Sequence, residues 1–362
     1  MNKWLLHDIG DIRYEDGELP SVKDNEVLIR VKAAGICGSD IPRIYSTGAH
    51  KMPLVPGHEF AGIIAETGSA ISSSLSGKRV AVYPKIHCGR CAACRSGLID
   101  MCTDYDYVGS RRDGAFAEYV AVPADNILIL PEDISYETAA MMEPMGVAAH
   151  AVRTCIDSAP EALPKDSPIA VCGLGTIGFL TALFLKDAGF DNLILIGNKT
   201  SQTELAIRLG FDPDKVINSK ETSVRDIILS LTSNGVSVYF ECVGTNDTIS
   251  QGLDICAPAG KIILVGNPAG DMTFPRDLYW KILRKQLSLF GIWNATFRPD
   301  TLKASATMQD DWHYVLTRLM SHSIEPEKII THRFSISELE KGFHIMRDKT
   351  ESYCKIMMTD QL

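Results

Sequence analysis

Long hydrophobic runs are missing from this 362-residue chain: stretches such as Ile127 to Leu130 and Ile262 to Val265 stop after a few residues, far short of the roughly 20 that a membrane-spanning helix requires. The opening residues, Met1 to Asp8, set an acid directly after a very short apolar stretch. They lack the apolar region and cleavage site of a secretory signal, so a cytoplasmic location is expected. Basic blocks are missing as well. With 36 Lys and Arg against 45 Asp and Glu the net charge is -9, which repels a phosphate backbone, and no alternation of aromatic and basic residues offsets it; neither nucleic acid nor membrane is an expected partner. No internal repeat or low-complexity tract occurs. Ten cysteines are present, yet the small secreted context that a disulfide framework needs is absent. Five of them, Cys155, Cys172, Cys242, Cys256 and Cys354, lie in apolar or strand-like surroundings, where a buried, inert thiol is expected.

The length exceeds what one hydrophobic core ordinarily serves, and two domains are expected. The first 145 residues are dense in glycine, proline and short alternating segments, with strands expected at Glu26 to Val31 and Arg79 to Tyr83. This half reads as a β-rich, barrel-like domain. From about Pro168 the pattern changes to strand, glycine turn and helix in repetition: strand Ile169 to Cys172, helix Thr176 to Ala188, strand Leu193 to Ile196. Later strands are expected at Val236 to Cys242, Lys261 to Val265 and Gln286 to Ile292. Such alternation specifies a parallel sheet with crossover helices, an α/β fold. The tail from Asn294 is mixed in character and is expected to pack back on the first domain.

Four cysteines, Cys88, Cys91, Cys94 and Cys102, are spaced C-x2-C-x2-C-x7-C among small and basic residues. Four thiolates at this spacing suit a closed tetrahedral zinc site, and the neighbouring Arg90 and Arg95 favour thiolate charge. Upstream, Cys37 in Gly35-Ile36-Cys37-Gly38-Ser39-Asp40 and the pair His58-Glu59 offer one soft, one borderline and one hard donor. That mixture suits a second zinc with a coordination position left for water or substrate. Glu143, in Met141-Met142-Glu143-Pro144-Met145, is an acid in an apolar stretch. An unpaired acid is costly to bury there, and a metal or its bound water would remove that cost; the other reading is a helix N-terminal acid before Pro144.

Directly after the strand Ile169 to Cys172 comes Gly173-Leu174-Gly175-Thr176-Ile177-Gly178, a G-x-G-x-x-G that opens a helix. In that context Gly173 permits the tight turn, Gly175 lets backbone approach a pyrophosphate, Gly178 lets helix and strand pack closely, and the helix N-terminus attracts phosphate. The second strand ends in Gly197-Asn198-Lys199, without the acid that accepts hydrogen bonds from the ribose hydroxyls of NAD. Gly197 leaves room for a 2′-phosphate, and Asn198 and Lys199 offer donors to it. NADP is therefore expected over NAD, against the alternative that Lys199 only caps a loop.

Taken in order, Gly35 to Asp40, Gly57-His58-Glu59, the Cys88 to Cys102 ladder, Glu143-Pro144 and Gly173 to Gly178 resemble the zinc-containing medium-chain alcohol and polyol dehydrogenases over nearly the whole chain. The resemblance implies a GroES-like β-rich catalytic domain over residues 1–147 and 292–362, with a structural zinc lobe at 86–103, and a Rossmann domain over residues 148–291. It further implies one catalytic and one structural zinc, and a homodimer or homotetramer. Cys37, His58, Glu59 and Glu143 would serve the working metal, and Ser39 the proton path. Many relatives carry a histidine five residues after the cysteine ligand; Pro42 stands there in this chain, which implies a shortened relay through Ser39. Local likeness is greatest to enzymes of polyol phosphates, in Gly38 to Ile44, Gly48-Ala49-His50, Tyr107 to Gly114 and Lys281 to Lys285. A substrate of the galactitol-1-phosphate type is thus expected, with Arg43 as the candidate phosphate contact. Alternatives are an unphosphorylated polyol such as sorbitol or xylitol, a secondary alcohol, or threonine; a noncatalytic NADPH-binding sensor is the reading from another class.

Overall fold

The computed structural model describes residues 1–158, 163–268, 270–299 and 310–360. It divides into two compact units, Met1–Glu143 with Ala295–Leu362, and Pro144–Asn294. Strands are numbered along the chain.

The first unit is built on β3 (Glu26–Ile36), an eleven-residue strand with nearly continuous apolar character and burial. One edge of β3 is shared. Its first half pairs antiparallel with β8 (Tyr119–Pro123) and its last residues pair with β17 (Lys355–Thr359), while β4 (Glu59–Thr67) covers the other edge. The sheet continues through β5 (Arg79–Val82) and β9 (Ile127–Ile129), and β16 (Ile330–Phe334) extends it beyond β17. A strand buried on both faces needs covering layers. The helix Leu339–Asp348 supplies one of them through Phe343, which is fully buried against Trp4 and Phe116 at ring centroid distances of 5.8 and 5.4 Å. Burial of such a ring contributes about 2–3 kcal/mol. Smaller two-stranded sheets are formed by β1 (Asn2–Asp8) with β2 (Asp11–Asp16), and by β6 (Lys85–Ile86) with β7 (Asp106–Tyr107).

The second unit holds a six-stranded sheet in the order β12 (Val216–Asn218), β11 (Leu193–Gly197), β10 (Ile169–Cys172), β13 (Val236–Glu241), β14 (Cys256–Leu264), β15 (Ser288–Gly291), and every adjacent pair is parallel. Counted along the chain this is the 3-2-1-4-5-6 order of a doubly wound dinucleotide fold, whose direction reverses between β10 and β13. Strand β10 and the end of its crossover helix, Thr176–Asp187, fall within a residue of expectation. Strand β14 begins earlier than its pattern suggests. Cys256 already pairs with Val236, then residues 257–260 loop out of register, with Ala259 at φ 59°, before Lys261 pairs with Val238. Pro258 and Gly260 read as an ordinary turn and hide that early start. Strand β15 begins later than expected, because Gln286 adopts a left-handed cap at φ 51° that closes the helix Arg276–Lys285. Among the described residues no helix is long and apolar enough to cross a membrane.

Candidate active site

In the cysteine lobe the chain wraps its own backbone around the sulfurs. N–H groups of Cys88, Cys91 and Cys94 donate to the sulfurs of Cys102, Cys88 and Cys91 at 3.3, 3.3 and 3.5 Å. Such donors favour thiolate. All four sulfurs lie within 4.8 Å of one another, with Cys91 and Cys102 3.9 Å apart. A tetrahedron with metal–sulfur bonds of about 2.3 Å has edges of about 3.8 Å, so the four residues fit zinc. Backbone donors from Cys94 and Thr103 bring the Cys91 thiol down to about 5. Lost hydration and the neighbouring sulfurs push Cys94 up to about 12. The first thiolate forms readily and the next resists, as expected of a cluster that keeps protons until a cation replaces them.

The second group assembles where β3 ends and β4 begins. Ligand atoms of Cys37, His58 and Glu59 come within 4.8 Å of one another, and His58 and Glu59 are buried. Ser39 Oγ donates to Cys37 Sγ at 3.3 Å, which brings the expected proton carrier to the same place. Behind the ligands lies Asp40, completely buried. It accepts from the Cys37 N–H at 3.0 Å and from Arg43 at 2.5 Å, and its Oδ1 is 3.4 Å from His58 Nδ1. Burial disfavours the Asp40 carboxylate, but His58, Arg43 and the Cys37 N–H outweigh it and hold its pKa below the ordinary value. Burial likewise opposes a charge on His58, yet Asp40 and Cys37 lift its pKa well above the usual imidazole value. Asp40 and Cys37 thus favour the protonated ring in the metal-free site, in competition with a metal. Its Nδ1 is buried and makes no hydrogen bond of good geometry. A carboxylate facing one ring nitrogen directs the other toward the ligand cluster, and this donor set fits zinc with a position left open.

Glu143 stands in the first turn of the helix Met142–Asp157 and accepts from Tyr107 Oη at 3.2 Å. Burial pushes its pKa up to about 7, with Glu59 adding to the rise and His58 and Lys355 opposing it. It borders the ligand cluster without joining it. Three side chains here are additions to the expected set: Asp40, Tyr107, whose ring packs edge-on to His58 at 5.8 Å, and Lys355. Lys355 is 2% exposed and ion-pairs with Glu59. Burial alone would neutralise the amine, but Glu59 and Cys37 outweigh it and raise its pKa. Arg43, the candidate phosphate contact, grips Asp40 with its guanidinium. Pro42 lies in the short helical turn Asp40–Pro42 beside the site.

In the second unit the glycine turn follows β10 directly. Gly173 has φ 98°, and a Cβ there would strike Val243 and the Cys242 backbone; a Cβ on Gly178 would strike the Gly173 carbonyl. Gly175 caps the helix Thr176–Asp187 and faces open space, where phosphate can approach backbone; Thr176 and Ile177 form the first turn. At the tip of β11, a Cβ on Gly197 would meet Gln202, whose Oε1 accepts the Asn198 N–H at 3.0 Å. Gln202 therefore takes part of the room expected beside Gly197. Lys199 caps the helix Thr200–Arg208. Glu241, at the tip of β13 and 1% exposed, accepts from the N–H groups of Val243 and Gly244 and from Thr248, and so fixes the loop that faces the glycine turn.

Two family profiles match the chain, "Alcohol dehydrogenase GroES-like domain" over residues 23–132 and "Zinc-binding dehydrogenase" over residues 176–310. Galactitol 1-phosphate 5-dehydrogenase of Escherichia coli (strain K12) is 31% identical over 337 residues, 92% of each chain. The chain belongs to the zinc-binding, medium-chain alcohol dehydrogenase family. It is an oxidoreductase with a GroES-like unit and a Rossmann-like unit, and its relatives act on small molecules. L-threonine 3-dehydrogenase of Bacillus subtilis (strain 168) is 35% identical over 335 residues, 91% of this chain and 90% of that protein. Among solved structures, galactitol-1-phosphate dehydrogenase from Escherichia coli superposes at a TM-score of 0.86 and 27% identity, covering 99% of this chain and 100% of that one. A zinc-binding dehydrogenase from Sinorhizobium meliloti 1021 bound to NADP gives 0.85 and 25% identity, covering 99% and 98%.

Proposed function

We propose that this dehydrogenase interconverts a secondary hydroxyl of a polyol phosphate, of the galactitol-1-phosphate type, and the corresponding ketose phosphate, with NADP as its preferred cofactor. The observation that carries the reading is the gathering of Cys37, His58 and Glu59 with Ser39 Oγ 3.3 Å from Cys37 Sγ, in a chain that resembles galactitol 1-phosphate 5-dehydrogenase over 92% of its length. Zinc held by Cys37, His58 and Glu59 would supply the Lewis acidity that lowers the pKa of an alcohol, while NADP held at Gly173 to Gly178 would accept the hydride. The lobe of Cys88, Cys91, Cys94 and Cys102 would hold a structural zinc and take no part in the chemistry.

The protein's own groups divide the remaining work. Oxidation of a carbinol sheds one proton from oxygen along with the hydride from carbon. Ser39, a hydroxyl able both to accept and to donate, takes up the proton at its oxygen and passes its own hydrogen on toward solvent. Asp40 keeps His58 oriented and balances its charge, and Arg43 holds Asp40. Tyr107 donates to Glu143 and keeps that carboxyl beside the ligand cluster, where it can exchange with a ligand or bound water. Gly197, Asn198 and Lys199 form the 2′-phosphate end of the cofactor site.

A panel of hexitol and pentitol phosphates, their unphosphorylated parents and L-threonine, each with NADP and NAD, tests the reading. Turnover restricted to a phosphorylated polyol with NADP supports it; oxidation of threonine alone, the reading favoured by the 35% identical relative, replaces it. Within that panel Arg43→Ala separates two roles. A raised KM for the phosphorylated substrate alone marks a phosphate contact, and equal loss on both substrates marks support of Asp40. The proposed assembly is a homodimer or homotetramer, checked by light scattering.

A further inference from the structure

Lys355 and Glu59 are 296 residues apart in sequence, yet they meet as a buried ion pair with each partner 2% exposed. The strand order explains how. In β17, β3 and β4, Met357 lies opposite Gly35 and Gly35 opposite Glu59, so Lys355 and Glu59 stand on outer strands with β3 between them. Adjacent strands are about 4.8 Å apart, so the two side chains must cross the middle strand to touch. They do so over Gly35. A Cβ at that position would collide with Glu59 Oε2 and with Lys355 Cε. Lys355 Nζ also donates to the Ile36 carbonyl at 3.0 Å, one residue before Cys37. A full positive charge is thus anchored in the sheet directly behind a ligand cluster that is itself meant for a cation.

We propose that Lys355 is a positioning residue acting through Glu59: it holds one carboxylate oxygen in the slot above Gly35, so that Glu59 is a loosely held, exchangeable metal ligand rather than a permanent one. The inference rests on the metal site of Cys37, His58 and Glu59 proposed above. Two effects act in the same direction. Lys355 repels the metal, and it competes with the metal for the Glu59 carboxylate. Removing the charge frees Glu59 to close on the metal, so zinc binds more tightly and leaves more slowly. A residue that merely fills space would do the opposite, since its loss would loosen the site.

The test is chelator competition for zinc on wild-type protein, Lys355→Met and Lys355→Gln, each repeated in a Cys37→Ser background that reports the Cys88 to Cys102 lobe alone. Lys355→Gln preserves a donor for the Ile36 carbonyl, and keeps the test available where the methionine variant folds poorly. Zinc at the Cys37 site is expected to bind about tenfold more tightly in both variants, with slower release. In a Glu59→Gln background the same substitutions are expected to tighten binding much less, since only the direct repulsion is then relieved. Equal or weaker binding in Lys355→Gln overturns the role of Lys355 and leaves the metal site standing. Tightening of the same size in Glu59→Gln overturns action through Glu59. Identical zinc binding by wild type and Cys37→Ser removes the metal site itself, and with it the proposed function.

Discussion

Asp40→Asn removes one negative charge from the centre of the site while keeping the side chain's shape. Asp40 has no exposed surface and serves the Cys37 N–H, the Arg43 guanidinium and His58 together, while Arg43 keeps 16% of its side-chain surface in water. Breaking a buried ion pair by removing one member costs about 3–5 kcal/mol, and the partial hydration of Arg43 lowers the expected loss to about 2–3 kcal/mol. Because the carboxylate also orients His58, zinc affinity at the Cys37 site should fall about 10- to 100-fold. Urea unfolding of the zinc-loaded protein reads the first quantity and chelator competition the second. A further Arg43→Met substitution, which removes the unpaired cation, should recover part of the stability but none of the zinc affinity. A loss below about 0.5 kcal/mol with unchanged affinity would show that Asp40 supports neither Arg43 nor His58.

Glu143→Gln should flatten the pH dependence of stability in the zinc-free protein. The fold raises the Glu143 pKa from 4.5 to about 7, so its protonated form is favoured and its contribution, complete below pH 4.5, is lost as pH rises through about 7; parallel melting curves for both proteins from pH 4.5 to 8 would refute this. Zinc binding at the Cys37 site should release protons, because Asp40 and Cys37 favour the protonated form of His58, seen as a buffer-dependent calorimetric enthalpy that shrinks in a His58→Gln variant. Cys102→Ser should remove one zinc per chain and several degrees of thermal stability; unchanged zinc content would deny the lobe its metal. Asn198→Asp should move cofactor preference toward NAD by about tenfold or more through acceptance from the ribose hydroxyls, and an unaltered NADP to NAD ratio of kcat/KM would place cofactor discrimination elsewhere.

Features written over a few consecutive residues are legible in the sequence itself. The cysteine ladder and the glycine turn owe their meaning to local spacing, and the parallel sheet follows from the repeated strand, turn and helix between Ile169 and Gly291. Cys37, His58 and Glu59 could be grouped because each stands in a recognisable short run. Asp40 belongs to the first of those runs, and an acid three residues after Cys37 is a signal that could have been used. Lys355 offers no such signal. Its partner is fixed by the pairing of β17, β3 and β4, a register set by core packing over the whole unit. Tyr107 and Glu143 are likewise joined by tertiary structure alone. Arg43 illustrates the converse: its cationic context suggests phosphate, and the fold also brings it to a buried carboxylate that it grips. Gln202, one turn into a helix, gave no sign that it would fold back over Gly197.

The proposed chemistry requires that Cys37, His58 and Glu59 hold a working metal while Cys88 to Cys102 hold a structural one. Steady-state oxidation of a polyol phosphate with NADP, measured alongside zinc content per chain for wild type and Cys37→Ser, tests it most directly. Two zincs and turnover are expected for wild type, with one zinc, a folded chain and no turnover for Cys37→Ser. Undiminished turnover by a Cys37→Ser protein that has lost one zinc would contradict it.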